Sequence, residues 1–335
     1  MSDRSGLGLV ELAVLETLDS LTDGRPRAVP ASSRITAEVE RKIGLGPRYS
    51  YEVLLDLARH WTVPLRLVSF RGNYGSADDA ASDPQYTQCR LTDAGKVALA
   101  AEAGQIGPVP IGLINGSVYC GGTRPPLEPF RVIAALRRLL ANPSTTDSQI
   151  VEAVGPPDFM TGCAVTGDLE ALVAGRPTLL QLTSRIEITD KQRLIVSALP
   201  PGVSAFEVAQ AVASLQAPRS WAHSPPRPSE KATLPITDVD PQPQAGAPGA
   251  DASIVVTLAP GANCEAVCSQ LMEVDGIVRE VAAAFPAPLS VALRSWLDRA
   301  DPGTVMASLN QLEDASRSDE KRLRKRGRQM DSSAG

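Results

Sequence analysis

The sequence predicts an α+β protein with more than one domain. Near the N-terminus, three short amphipathic segments precede an apolar strand, and helices alternate with paired strands further along the chain. A last amphipathic segment predicts a C-terminal helix. A chain of 335 residues is long enough to form two or three domains.

The first predicted helix covers residues 7–21, where Leu9, Leu12 and Leu15 recur at a spacing of three. A second helix is expected to begin at a Ser33 cap and to end before the glycines and proline of residues 44–47. A third helix over 51–61 and a strand over 65–70 follow. Three helices and a strand in this order are typical of a winged-helix module, which is a compact DNA-docking unit.

The rest of the chain supplies elements of both types. Residues 109–118 predict a short apolar strand, and residues 218–252, rich in Pro, Gly and Ala, predict a linker. Other strands are predicted over 186–188, 194–199 and 254–258. Other helices are predicted over 129–142, 203–215 (capped by Ser204), 264–274, 289–297 and from 305 onward. The basic run 321–328 is either a disordered tail or a DNA contact through charge alone.

Composition excludes some classes of protein. The net charge of −5 gives no overall basic field of the kind that attracts nucleic acid. Five cysteines lack the spacing of a disulfide framework or of a metal site, so no metal ligands are assigned. Adjacent Asp78 and Asp79 are interpreted as a solvated turn rather than a metal pair. With no apolar signal segment and no membrane-spanning segment, a cytoplasmic protein is expected.

One stretch combines a glycine turn with a tyrosine among polar residues. Residues 71–76 read Arg-Gly-Asn-Tyr-Gly-Ser, and residues 85–91 read Gln-Tyr-Thr-Gln-Cys-Arg-Leu. This pair resembles the breakage-reunion domain of type IIA DNA topoisomerase A subunits, in gyrase and topoisomerase IV. There a G-N-F-G-S turn precedes an R-Y-T-E-x-R-L run that holds the DNA-cleaving tyrosine.

Further motifs resemble the same family in the same order, over most of residues 30–275. Residues 115–117 are similar to its V-N-G-S turn, and 155–162 to its G-P-D-F-P-T-G run. Residues 184–188 are similar to its R-A-x-x-E stretch. Residues 193–203 and 236–240 are similar to the I-I-V-x-E-L-P-Y-x-V and I-x-D-I-x-D elements of its tower domain. Because the motifs are collinear, the resemblance is more specific than any one of them.

The resemblance implies a function and a set of site residues. Tyr86 would be the nucleophile of transient double-strand cleavage and religation. Candidate DNA contacts are Arg34, Lys42, Arg48, Gln85 and Arg90, although Arg90 could equally be a surface charge. The chain itself would bind no cofactor, because Mg²⁺ and ATP are expected on a separate B-type subunit. The implied partners are double-stranded DNA, a second copy of the chain and that B-type subunit.

The resemblance also implies a domain order. The expected parts are a winged-helix module with the nucleophile over 1–105, a tower-like α/β region over 106–217, a linker over 218–252, the second part of the tower with the start of a C-terminal coiled-coil helix over 253–318, and a basic disordered tail over 319–335. The chain is expected to stop where the long coiled coil of the family begins.

Two departures keep an alternative open. Gln85 stands where the family has arginine beside the tyrosine, and residues 44–50 replace its H-P-H-G-D run. An amide binds phosphate without charge, so it stabilises a transition state less than a guanidinium does. The alternative is a catalytically degenerate paralogue that regulates by binding DNA or a topoisomerase subunit.

Overall fold

The computed structural model describes residues 4–22, 28–116, 124–190, 192–216, 234–242 and 252–331, with side chains described as far as residue 323. Helices and strands are mixed, which confirms the α+β class. The N-terminal part contains α1 (Leu9–Thr22), α2 (Ser32–Ile43), α3 (Pro47–Asp56), β1 (Val68–Arg71), β2 (Gln88–Leu91) and α4 (Asp93–Glu102).

Local sequence explains most of these boundaries. Gly44 ends α2 in a left-handed conformation (φ 71°), and its N–H donates to the carbonyl of Glu40. Pro47 occupies the first turn of α3, so the predicted helix over 51–61 was wrong by about one turn. Proline was interpreted there as a breaker, whereas it is favoured at the first helical position. Thr92 caps α4, because its hydroxyl accepts from the N–H of Gly95.

The middle of the chain contains α5 (Ile111–Asn115), α6 (Pro129–Ala141), α7 (Asp147–Val154), β3 (Ala164–Gly167), α8 (Leu169–Val173) and β4 (Thr178–Thr183). The predicted strand over 109–118 was wrong, because its core forms the helix α5. All five residues of α5 are buried, and a short apolar run does not distinguish a buried helix from a buried strand. The side-chain amide of Asn115 accepts a hydrogen bond from the N–H of Leu65 and donates one to its carbonyl, each at 2.9 Å.

The last part contains β5 (Arg185–Asp190), β6 (Arg193–Ser197), α9 (Ala205–Ala213), β7 (Ile236–Gln242), β8 (Ser253–Leu258), α10 (Cys264–Leu271), β9 (Val278–Ala283), α11 (Leu289–Leu297) and α12 (Pro302–Asp331). The pairing of β5 with β6 and the cap at Ser204 are both confirmed. Much of 218–252 lies outside the described residues. Within it, however, β7 is a strand rather than linker. Its Pro241 is tolerated because β7 is an edge strand.

Three antiparallel sheets organise the described strands. They are β1-β2, β3-β4-β9 and β5-β6-β8-β7. Buried apolar side chains form two clusters. The first, here the core of the first unit, includes side chains of α1–α4, β4, α11 and α12. The second, here the core of the four-stranded unit, lies under β5-β6-β8-β7 and contains side chains of α9 and α10.

The long helix α12 runs from Pro302 to Asp331 and so includes part of the region expected to be a disordered tail. Asp319 accepts two hydrogen bonds from Arg66, at 2.9 and 2.6 Å. Arg322 pairs with Asp93 at 2.9 Å. These partners lie more than 200 residues away in sequence, and charge composition alone could not reveal them. Among the described helices, none combines the length and the apolarity needed to cross a bilayer.

Candidate functional site

Tyr86 lies in the loop immediately before β2. Its backbone N–H donates to the carbonyl of Asp83 at 2.9 Å, and its side chain is 71% exposed. No hydrogen bond links its hydroxyl to any residue of the described part of the chain. The phenol therefore projects into solvent from a fixed backbone.

The residue after Tyr86 fixes that backbone. Thr87 is fully buried, and its hydroxyl donates to Ser32 Oγ at 2.9 Å. The hydroxyl of Tyr51 lies 3.0 Å from Thr87 Oγ1 and donates to the carbonyl of Ser82 at 2.7 Å. Side chains of α2 and α3 thus hold the chain on both sides of Tyr86. Burial is the main reason why the pKa of Tyr51 is raised, so Tyr51 stays a neutral structural phenol.

The N-terminus of α2 meets the same loop. The N–H of Ser32 donates to the carbonyl of Thr87 at 2.9 Å, and the N–H of Ser33 donates to that of Pro84 at 3.0 Å. The predicted Ser33 cap was therefore wrong. The N-cap residue of α2 is Ala31, which has no side chain that could cap the helix, and loop carbonyls satisfy these amides instead. Gln85 lies between the two bonded carbonyls, and its side chain is exposed.

The predicted DNA contacts are all exposed, but they are not gathered at one point. Arg34 lies in the first turn of α2, beside the loop that holds Tyr86, whereas Lys42 lies in its last turn. Eight residues of helix separate them by about 12 Å along the axis. Arg48 lies in the first turn of α3, one turn before Tyr51. Neither Arg34 nor Arg48 forms an ion pair with any described residue, and Lys42 Nζ is 3.4 Å from Ser20 Oγ.

Arg71 is a candidate contact that sequence reasoning missed. In the β1-β2 pairing, Arg71 lies opposite Gln88 and Ser69 lies opposite Arg90. Arg71, Gln88 and Arg90 are exposed, whereas Phe70 and Cys89 face the core. Arg71 and Arg90 are therefore diagonal neighbours on one face, roughly 7–8 Å apart. The alternation of β2 would have identified this face had the antiparallel partner been known.

Two buried groups of the first unit have pKa values shifted away from neutral pH. Burial raises the pKa of the Cys89 thiol to about 12, although the Ser32 hydroxyl that lies 3.8 Å from its sulfur lowers it. Burial, followed by the charge of Arg66, lowers the pKa of His60 to about 4. His60 packs edge-on against Trp61, with ring centroids 4.8 Å apart. Neither group is placed to assist Tyr86.

Acidic residues near Tyr86 do not form a metal centre. No group of three or more His, Cys, Asp or Glu side chains that could hold a metal ion occurs in the described ranges. Asp78 was interpreted as part of a solvated turn, and this was wrong. Asp78 Oδ1 accepts from the Ser204 hydroxyl at 2.8 Å, across the junction between the two units.

Comparison with known proteins gives relatives but no matching family model. The chain is 28% identical to the A subunits of DNA gyrase from Streptococcus pneumoniae and Streptococcus pyogenes, over 246 residues. That alignment covers 63% of this chain and 29% of the relative. The chain is 27% identical to the A subunit of DNA topoisomerase 4 from Caulobacter vibrioides over 244 residues, or 63% of this chain and 32% of the relative.

The matched segment thus spans about a third of the length of these curated relatives. The motifs resembled these same two kinds of subunit: the glycine turn, the run around Tyr86 and the later motifs. The alignments confirm the resemblance: this chain is a divergent relative of the A subunits of type IIA DNA topoisomerases.

Proposed function

We propose that the protein binds duplex DNA and cleaves it transiently through a phosphotyrosyl link at Tyr86. The observation that carries this proposal is the state of Tyr86: an exposed phenol, without a hydrogen bond to the described residues, on a backbone that α2 and α3 hold in place. A surface tyrosine kept for packing would not need such anchoring.

The chemistry follows from the reactivity of a phenol. The Tyr86 oxygen would form a bond to phosphorus while the bond from phosphorus to a deoxyribose oxygen breaks, and that oxygen leaves as a hydroxyl. The broken strand is held as an ester, so the reverse attack reseals it without external energy. The unperturbed pKa of a phenol is about 10, so a base must take its proton, and a metal could help only by stabilising the phenolate.

Charge that develops on the non-bridging phosphate oxygens requires fixed donors. Arg34 at the start of α2 and Arg90 with Arg71 on the β1-β2 face could supply guanidinium groups, and Gln85 could add an uncharged hydrogen bond. Lys42, in the last turn of α2, and Arg48, in the first turn of α3, would contact the backbone of the duplex away from the cleaved bond.

The proposed function comes with an assignment of domains. We assign the helices and the β1-β2 pair of residues 1–105 to a winged-helix module, and residues 106–217 with 253–318 to a tower-like region. The segment 218–252 would connect its parts, and α12 would begin a coiled coil. The buried core under the four-stranded sheet supports a separate folded unit in the tower-like region.

Partners follow from the relatives, which are named as subunits of DNA gyrase and of DNA topoisomerase 4. We propose a B-type partner subunit that supplies ATP hydrolysis and Mg²⁺, and a homodimer in which two copies of Tyr86 cut both strands in the cytoplasm.

A second function is favoured by one observation. Gln85, not arginine, lies beside Tyr86, and residues 44–50 contain no histidine. A paralogue that lost cleavage would still bind DNA or a topoisomerase subunit through the same surface and would regulate by occupancy.

The test is covalent capture of DNA. The protein is incubated with supercoiled plasmid, Mg²⁺ and a B-type subunit, and denaturant is then added. Protein bound to DNA after denaturation is expected from the wild type and from Tyr49→Phe, but not from Tyr86→Phe. Tyr49 is a matched control because it is an exposed tyrosine (45%) on α3. Plasmid binding without covalent capture by any variant would select the regulatory paralogue.

A further inference from the structure

The two units meet at a narrow junction of the chain. The polypeptide leaves the first unit at Ser184, between β4 and β5, and returns at Ile277, just before β9. The N–H of Ser184 donates to the carbonyl of Ile277 at 2.8 Å. These two adjacent crossings are called the hinge here, since rotation about them would change the orientation of one unit relative to the other.

A second contact lies away from these crossings. Asp78, in the loop that leads to Tyr86, accepts from the Ser204 hydroxyl at 2.8 Å and from the Phe206 N–H at 3.4 Å. Ser204 is the N-cap of α9, and its hydroxyl oxygen also accepts from the N–H of Glu207. A carboxylate of the first unit is therefore bound at the N-terminus of a helix in the four-stranded unit, where negative charge is favoured.

Packing around this contact is loose. A cavity of about 40 Å³ lies at the junction, with His60 and Ala77 on one side and Leu199 and Val203 on the other. Two atoms of residues that line it, His60 Nδ1 and Thr161 Oγ1, are buried without a hydrogen-bond partner. Polar contacts therefore contribute to the orientation of the four-stranded unit: besides the Asp78 contact, Arg279 Nη1 donates to the carbonyl of Pro201 at 3.1 Å.

Hydrogen bonds tie the loop that carries Asp78 to the segment before Tyr86. The N–H groups of Asp78 and Asp79 both donate to Ser76 Oγ, at 3.1 and 3.0 Å. The N–H of Ser82 donates to the carbonyl of Asn73 at 3.1 Å. The bond from the Tyr51 hydroxyl to the carbonyl of Ser82 continues this network toward Tyr86.

We propose that Asp78 is a positioning residue that fastens the Tyr86 loop to α9 and so sets the orientation of the four-stranded unit relative to Tyr86. The consequence for cleavage rests on the proposed function, but the fastening itself does not. With the contact intact, the four-stranded unit keeps one orientation relative to Tyr86. Without it, the hinge at Ser184 and Ile277 admits several orientations.

Hydrogen–deuterium exchange on the full chain tests the fastening. Asp78→Ala is expected to raise exchange about tenfold in peptides covering both 76–84 and 204–209, because a hydrogen-bonded charge is lost. Asp78→Asn retains the acceptor oxygen and should restore most of the protection. Asp79→Ala is the matched control, because no hydrogen bond is made by its exposed side chain to the described residues.

A double-mutant cycle separates this contact from any other partner of Asp78. Ser204→Gly removes the hydroxyl while glycine remains an acceptable N-cap, and its effect should not add to that of Asp78→Ala. Additive effects, or a response confined to 76–84, would overturn the proposal. If the wild type captures DNA covalently, Asp78→Ala should lower capture about tenfold at unchanged DNA affinity, and Asp78→Asn should restore it. If the wild type captures none, the proposed function fails and the exchange data still decide on Asp78.

Discussion

Gly72 lies directly against the backbone carbonyl of Tyr86. A β-carbon at position 72 would be 3.0 Å from that oxygen, and Gly72 has φ of +97°. The glycine turn and the tyrosine loop are therefore packed against each other. Position 72 requires glycine so that the loop that holds Tyr86 can pack on the turn.

Replacing Gly72 by alanine should destabilise the fold and disturb this loop. An L-residue at this φ costs about 1 to 3 kcal/mol, and the contact with the Tyr86 carbonyl adds to it. The free energy of unfolding in urea measures the loss. Gly303→Ala, in the first turn of α12 and with no positive φ, should leave stability unchanged or raise it. Equal effects of the two substitutions would contradict this role for Gly72.

The sequence predicted features that depend on short stretches of chain. The helix at 129–142, the Ser204 cap and the pairing of β5 with β6 each have local signals, and each is present. Prediction from local sequence was wrong where residues distant in sequence determine the secondary structure. The segment α5 is a helix because it is buried on all sides, and β7 is a strand because β8 pairs with it.

The same distinction applies to the site. The candidate cations were found from the resemblance, but their spread along α2 and α3 follows from helix geometry that no motif displays. Arg71 was missed because its role depends on Arg90 in the partner strand. Asp78 was misinterpreted because its partner Ser204 lies 126 residues away.

The ion pair between Arg66 and Asp319 should be important for the packing of α12. The Arg66 side chain is 4% exposed, so Asp319→Ala leaves a buried guanidinium without its carboxylate. Loss of one partner of a buried pair costs about 3 to 5 kcal/mol. Chemical denaturation should show this loss, whereas Asp314→Ala, an exposed position on the same helix, should change stability by less than about 0.5 kcal/mol. A small effect of Asp319→Ala would show that α12 packs without the pair.

His60 should make stability depend on pH between about 6.5 and 4. Burial and Arg66 lower its pKa to about 4 in the folded protein, so the unfolded chain binds more protons in this window. The stabilising contribution is complete above pH 6.5 and is lost as pH falls toward 4, by about 1 kcal/mol per pH unit. The free energy of unfolding, measured at several pH values, should change less steeply with pH for His60→Gln than for the wild type. An unchanged slope would contradict a buried neutral imidazole.

DNA affinity should depend on the exposed cations near Tyr86. Each phosphate contact adds about 0.9 to the slope of log affinity against log salt. Arg34→Ala and Arg90→Ala should each weaken duplex binding and lower that slope by about one, as fluorescence anisotropy at several salt concentrations would show.

Arg41 is the matched control for Arg34 because both lie on α2 and both are exposed. Arg41 is already bonded to Glu38, at 2.9 and 2.6 Å, so Arg41→Ala removes a charge that is largely neutralised in place. Its slope should stay close to that of the wild type. If Arg41→Ala and Arg34→Ala lowered the slope equally, binding would follow overall charge rather than a surface around Tyr86. If neither changed it, the start of α2 would not contact phosphate, and the DNA would have to bind elsewhere on the protein.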